Sequence, residues 1–337
     1  MTPKQFAALA AAAAVSLVLA LIVHAARAPW TMAPGTEKLM PSLAADLNKV
    51  ARITITQGED TLTLERAGDD WQLKSQGGYP ASVEKVRGLV RSLAGATLLA
   101  PKTRKPEHYA ALEVDDPTGK HTRARLVRLA AQDDTLIGEV IAGKTKPSAG
   151  TGAGAETYVR RPGDAQSWLA STEIAGDTTL KSWAEPRVFE TKTETIGTLT
   201  VEIPGEAAYT IARGTDGAHE LKDIPAGKKI KYVNMVDNIV EAASFLDLEN
   251  VRKATGATGG EAGTLRFETD PGLKIALTIR RENNAIWMSV TATGEGEAKA
   301  TAEQITARTK GWEFALTPSK ADTMLKKRDD LLEDAAS

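Results

Sequence analysis

The sequence predicts an α+β protein: an N-terminal transmembrane helix, then two tandem duplicated domains, each an antiparallel sheet with a helix packed on one face. Three observations lead there. Residues 6–26 form a 21-residue run without charge. Short segments alternate apolar and polar residues, the period of a half-buried strand, between turns rich in Gly and Asp. A strand, strand, strand, helix order occurs twice, about 145 residues apart.

The first run holds only two polar side chains, Ser16 and His24. A bilayer core about 30 Å thick takes roughly 20 apolar residues as helix. Lys4 and the free amine precede the run and Arg27 follows it. Positive flanks tend to stay cytoplasmic, so the expected orientation is N-in, C-out. A cleaved signal peptide is the rival reading, because Ala26-Arg27-Ala28 has the small-x-small form. Against it stand Pro29 just after the cut and a run longer than the roughly 7–15-residue signal core. A buried soluble helix is a third reading, drawn from the weakly apolar Ala10 to Ala14. His24 falls near the interface, where a neutral imidazole meets headgroups or water. Residues 29–41 carry Pro and Gly and read as a juxtamembrane linker, with Trp30 placed as an interfacial anchor.

In the first copy, Ile53 and Ile55 alternate with Thr, Leu62 and Leu64 do the same after the Gly58-Glu59-Asp60 turn, and Trp71 to Lys74 follows Gly68-Asp69-Asp70. Val83, Val86, Leu89, Val90 and Leu93 then recur at steps of three and four, an apolar helix stripe with Pro80 and Ser82 as start residues. Strands are expected over 125–129, 135–141, 157–160 and 167–169, and the amphipathic piece 179–183 bridges the copies. In the second copy, strands 199–203, 209–213 and 220–222 precede a stripe of Ile230, Val233, Val236, Ile239, Val240 and Ala243. Strands follow over 264–268, 273–280, 285–291 and 311–316, with Asn283-Asn284 as a hairpin. Thr317-Pro318 would cap a closing helix over 319–332. The expected organisation is thus an anchor over 1–28, a linker over 29–45, one domain over 46–186 and another over 187–337.

Composition removes several function classes. The 42 Lys+Arg nearly cancel 44 Asp+Glu, for a net charge of -2, which argues against a nucleic-acid binder. Without Cys there is no disulfide, thiolate zinc site, cysteine nucleophile or lipidated N-terminal Cys. The Gly150-Thr151-Gly152-Ala153-Gly154 run precedes a strand instead of a helix, so it reads as a hairpin loop and not a phosphate cradle. His108, His121 and His219 have no ligand spacing and no serine elbow to serve. The pairs Asp69-Asp70, Asp115-Asp116, Asp133-Asp134 and Asp329-Asp330 are adjacent, whereas paired-carboxylate hydrolysis needs convergence across a cleft. Turn chemistry accounts for the first three. Trp71, Trp287 and Trp312 sit in alternating strands, where core packing is the default. Lys326-Lys327-Arg328 reads as a solvated face or a partner surface. No residue is singled out as catalytic, cofactor-binding or metal-binding, and no cofactor is expected.

The run from Leu47 to Pro117 resembles the bacterial DUF4340 family. The resemblance rests on Val50, Ile53, Ile55, Leu62, Leu64, Arg66, Trp71, Tyr79-Pro80, Val86, Leu89, Lys102, Pro106, Tyr109, Leu112 and Asp116-Pro117. Tyr158-Val159-Arg160 and Trp168-Leu169 extend it, so that it covers about residues 46–185. Glu113 stands where the pattern has Gly after Tyr-x-x-Leu. The resemblance implies a membrane-anchored protein associated with ABC-type transport systems, including a gliding-motility-type auxiliary component, and it carries no catalytic residues. The expectation is a non-catalytic accessory or interaction subunit of the bacterial inner membrane. It would have one span over 6–26, a periplasmic bulk and an ABC-type permease or auxiliary subunit as partner. The alternative is a periplasmic ligand-binding or carbohydrate-processing protein with its site between the two repeats.

Overall fold

The computed structural model describes residues 37–147, 154–232, 234–256 and 260–335. The apolar run 6–26 and Trp30 lie outside them. Among the described residues, no helix is long and apolar enough to cross a membrane. The fold is α+β, with mostly antiparallel sheets and few helices.

Helix α1 (Pro41–Asp46) leads into β1 (Arg52–Gln57), β2 (Asp60–Ala67), β3 (Asp70–Leu73) and β4 (Tyr79–Ala81). The alternation predicted from sequence puts Ile53, Ile55, Leu62, Leu64, Trp71 and Leu73 on one buried face. The β1–β2 and β2–β3 loops are two residues each, with Gly58 and Gly68 left-handed at φ 62° and 67°. Helix α2 (Val83–Gly95) lays Val86, Leu89, Val90 and Leu93 on that face. Ser82 takes its cap position without a side-chain cap bond, and Pro80 belongs to β4, not to the helix start. Then come β5 (Leu98–Pro101), α3 (Tyr109–Leu112), β6 (Arg125–Ala130), β7 (Leu136–Pro147), β8 (Ala155–Arg160) and β9 (Ser167–Ala170). The nine strands order as β4-β3-β2-β1-β6-β7-β8-β9-β5.

The second half begins with β10 (Arg187–Glu190), β11 (Ile196–Glu202), β12 (Tyr209–Arg213), β13 (His219–Leu221) and β14 (Lys228–Ile230). Helix α4 (Asn234–Ser244) buries Val236, Ile239, Val240 and Ala243. Ile230, expected on that stripe, is instead in β14, and Val233 lies outside the described residues. After β15 (Phe245–Asp247) and β16 (Val251–Lys253) come the long strands β17 (Glu261–Thr269), β18 (Leu273–Glu282) and β19 (Ala285–Thr293). Asn283-Asn284 makes the β18–β19 hairpin, with Asn283 at φ 46°. Helix α5 (Lys299–Thr309), β20 (Trp312–Ala315), α6 (Pro318–Met324) and β21 (Leu332–Asp334) complete the order. This sheet runs β13-β12-β11-β17-β18-β19-β20-β16. Apart from the extra β4, the two sheets have the same strand order, with α2 and α4 at matching points of the chain.

Two expectations are corrected here. The closing helix over 319–332 ends at Met324, although Thr317 does accept the Lys320 amide and Pro318 fills the first turn. The chain then turns so that Leu331 enters the core and Leu332 pairs with Ile230. The expected linker, 29–45, is described from Glu37 onward, and there it belongs to the fold. Leu39, Met40 and Leu43 are buried. Arg161 donates to the Leu39 and Lys38 carbonyls at 3.3 and 3.0 Å and to Glu37 Oε1 at 3.0 Å. Ser42 Oγ donates to the Ile137 carbonyl at 2.8 Å. A side chain at Gly138 would sit 3.1 Å from Met40 Sδ, so the segment packs directly on β7.

One cluster of buried side chains runs through both halves, from Leu39 to Leu331. The halves meet where Tyr79 of β4 stands edge-on to Trp312, centroids 5.0 Å apart, and to Phe314. Burial there pushes the Tyr79 hydroxyl up to about 12, against the nearby positive charge of Arg308. Of the tryptophans expected in the core, Trp71 is buried and Trp312 is partly buried against the core cluster. Trp287 lies on the opposite face under the Arg252 guanidinium, 4.2 Å from its ring. Trp183 is the largest fully buried side chain among the described residues.

Leu43 separates a linker from a folded segment. Leu43→Ala is expected to lower unfolding stability by about 2–5 kcal/mol, the cost of truncating a core leucine. A denaturation midpoint unchanged by the substitution would mean that residues 37–46 only tether the fold.

Candidate functional site

Most residues of the family pattern lie in the main core, but Tyr109, Leu112, Tyr158 and Arg160 meet in a second place. After β5 the chain leaves the sheet edge and crosses the face of the sheet that points away from the main core. Pro106 opens a short helical stretch that runs into α3. Tyr109, Val114 and Ala124 bury themselves on Ile141, with Leu112, Leu126 and Tyr158 packed around them. This second apolar cluster exists because β6, β7 and β8 carry Leu126, Ile141 and Tyr158 on that face. The approach is close: a Cβ at Gly143 would lie 2.3 Å from the Leu112 carbonyl oxygen and 2.7 Å from that of Glu113. Only glycine lets the crossing segment rest on the β7 backbone.

Two arginines clamp the crossing. Arg160 Nε donates to the Val114 carbonyl at 2.8 Å, Nη2 to that of Asp115 at 3.3 Å and Nη1 to that of Asp164 at 3.2 Å. Its guanidinium also lies 4.7 Å over the Tyr109 ring, and Tyr109 Oη donates to the Ala165 carbonyl at 2.5 Å. Arg125 donates to the Gly176 and Gly143 carbonyls at 2.5 and 3.2 Å. Burial lowers its pKa, opposed by Asp177, Glu113 and Glu173. Asp116 accepts from the Thr118 amide and hydroxyl, which hold its carboxyl below the usual range. These guanidinium donors are committed to main-chain carbonyls, so the cluster acts as a brace that joins three loops to the sheet.

Glu113, the one departure from the pattern, ends α3 in the left-handed conformation at φ 58°. That conformation costs a side chain roughly 1–2 kcal/mol that glycine is spared. Its ion pair with Arg123, at 3.5 Å and exposed on the arginine side, offsets little of this.

The other candidates stay apart. His108 and His121 are exposed. His219 is nearly buried, with Nε2 3.1 Å from the Ile196 carbonyl and Nδ1 4.0 Å from Asp237. Among the described residues, no group of three His, Asp or Glu side chains is placed to hold a metal. Asp133 accepts the Thr135 amide, Asp134 pairs with Arg52, and Asp69 stands 4.0 Å from Arg66, all at turns. Gly150 and Gly152 lie outside the described residues; Gly154 precedes β8. Lys327 pairs with Glu206 at 2.5 Å, and the Lys326 carbonyl accepts the Tyr209 hydroxyl at 2.7 Å.

One charged cluster went unseen in the sequence. Lys320 Nζ sits 3.6 Å from the centre of the Phe245 ring and donates to the Phe245 carbonyl at 2.7 Å. Arg187 reaches the same ring at 4.8 Å and pairs with Asp247 at 2.6 Å. Burial pushes the Lys320 ammonium down to about 8, with Arg187 adding to the effect and Asp247 and Glu241 opposing it. Nothing near Lys320 in the sequence signals this; the Thr317 cap and the docking of α6 on α4 carry it inward.

Open grooves flank α2. One, of about 490 Å³, lies between Leu47, Arg66 and Trp71 and the helix residues Glu84, Arg87 and Arg91. Another, of about 690 Å³, runs along Gly88 and Ser92 beside residues 171–176.

Two substitutions test these electrostatic and backbone assignments. Glu113→Gly is expected to raise unfolding stability by about 1 kcal/mol; a loss of stability in urea would show that the side chain itself holds the turn. Lys320 binds a proton less readily in the folded chain than in the unfolded one between about pH 8 and the ordinary 10.5. Its contribution to stability therefore rises with pH across that window and is least favourable below it. Stability of the parent protein relative to Lys320→Met should climb between those limits, and a flat difference would place the amine in water.

The comparisons with known proteins name no activity. No curated protein and no solved structure matches the chain. One family model, described as a domain of unknown function (DUF4340), matches residues 71–263, more than half of the sequence and across both halves of the fold. The chain belongs to the DUF4340 family.

Proposed function

We propose that this protein is a non-catalytic interaction subunit held to the bacterial inner membrane by residues 6–26, its bulk on the periplasmic side, serving an ABC-type transport system. The observation that carries the reading is the way residues 37–46 are built into the first half. Arg161, Ser42 and the buried Leu39, Met40 and Leu43 make that segment part of a folded body. Ten residues, 27–36, separate it from the apolar run. A body joined so closely to its anchor suits a platform that works beside an integral membrane partner. The family resemblance points to an ABC-type permease or its auxiliary subunit as that partner. The net charge of -2 is in keeping with a protein partner and not a nucleic acid.

We also propose that the two halves are copies of one ancestral domain. The shared strand order and the matching positions of α2 and α4 support this. A ligand or carbohydrate site between the copies would need a cleft where they meet. Tyr79 is packed there against Trp312 and Phe314, and each groove described above is lined from one half alone.

Crosslinking of the full-length protein in cells, followed by mass spectrometry of what co-purifies in detergent, tests the reading. Recovery of a transporter permease or its ATPase is the expected result. Repeated recovery of no membrane partner from anchor-intact protein would overturn the accessory role.

A further inference from the structure

Helix α1 is unusual for a helix on a protein surface. Its only buried residue is Leu43, while Pro41, Ala44 and Ala45 are exposed and its outward side carries no charge before Asp46. A helix with one face to water ordinarily places charged or polar residues there. Leu47 follows directly and is 36% exposed. Leu136, 49% exposed, precedes the Ile137 whose carbonyl Ser42 holds. These are two of the four large apolar side chains most exposed among the described residues.

They share one end of the first sheet. Arg66 Nη1 donates to the Asn48 carbonyl at 3.3 Å, and the Ala51 amide donates to the Ala130 carbonyl at 2.9 Å. These contacts gather residues 47–51, the end of β2 and the β6–β7 turn beside α1. The charges there have partners: Lys49 pairs with Asp46 at 2.8 Å, Arg52 pairs with both Glu65 and Asp134, and in the groove beside Leu47 Arg87 and Arg91 reach Glu84 while Arg66 stands near Asp69. Between these paired charges Leu47 and Leu136 stand as exposed apolar side chains.

We infer that this end of the first sheet, the outward side of α1 with Leu47 and Leu136, rests in the interfacial zone of the lipid bilayer. The inference depends on the anchor proposed above. Ten intervening residues reach no more than about 40 Å even when extended, so the anchor holds Glu37 within that distance of the membrane and allows it to lie at the surface. Apolar side chains held at that height lose water when they enter the headgroup boundary. Balanced charge means that the contact does not need anionic lipid. The anchor would then fix the first half in orientation as well as in position.

The sequence has no Cys, so single labels are clean. Leu47→Cys and Leu136→Cys, with Thr293→Cys on the far face of the second sheet as control, are each labelled with an environment-sensitive fluorophore. The full-length protein is reconstituted in phosphatidylcholine vesicles with and without doxyl-labelled lipid. The expected result is loss of most emission from positions 47 and 136 in doxyl lipid, with position 293 unchanged. Unquenched labels on protein that resists carbonate extraction would overturn the lipid contact and leave the anchor standing. Blue-shifted but unquenched labels would reveal a protein cover and equally overturn it. Protein released by carbonate would overturn the anchor and the contact together.

Discussion

The structure depends on one requirement: each sheet has a largely apolar face, and both faces must be kept from water. A single core meets it for both halves at once. Each sheet needs more cover than one helix supplies. The second half inserts α5 between β19 and β20, where Ala302, Ile305 and Thr309 lie against the sheet. The first half has only the short turn 161–166 at the matching point and takes its second helix from upstream, as α1 against β7 and α2. The segment that follows the apolar run is thus structural because the first half lacks an insertion of its own.

The opposite faces are treated differently, and the side chains explain why. The first sheet presents Leu126, Ile141 and Tyr158 there, and the long crossing of residues 102–124 covers them under the Arg160 clamp. The second sheet carries Thr200, Arg266, Ala276 and Thr291 around a shallow depression on its far face. Its matching connection, 254–260, is only seven residues long. Small and polar groups tolerate water, so a short connection suffices. The family pattern over 102–117 and 158–160 therefore marks the brace of the first half. That brace is a structural specialisation, with its polar donors spent on the chain's own carbonyls.

Much of the fold was legible because period-two alternation is strong in these strands. Ile53 to Leu73 and Leu273 to Val290 read directly, as did the Asn283-Asn284 hairpin and the Thr317 cap. The failures have physical causes. Helix α1 buries one residue in PSLAAD, too few for any period to show. Helix α5 packs through Ala and Thr as much as through Ile305, which leaves its apolar stripe faint. Beyond Met324, the spacing of Leu325, Leu331 and Leu332 looks helical, yet tertiary pairing with β14 draws the chain into a strand. Of the braced site, Tyr109 and Arg160 were visible as family positions. Their contact, and the buried amine of Lys320, arise between residues far apart in sequence.

The pairing of β21 with β14 bears on the order in which the molecule can assemble. Lys228, Lys229 and Ile230 find their strand partners only in Asp334, Glu333 and Leu332, about a hundred residues later. Leu331 must also enter a core otherwise complete by Met324. As a chain emerges from the ribosome, domains fold in turn from the N-terminal side. The first half has all its own strands by Ala170, whereas the second stays open at the β14 edge until residue 334 arrives. That gap leaves the core of the second half open for the whole of the synthesis between them, so the second half can close only after the first is already made.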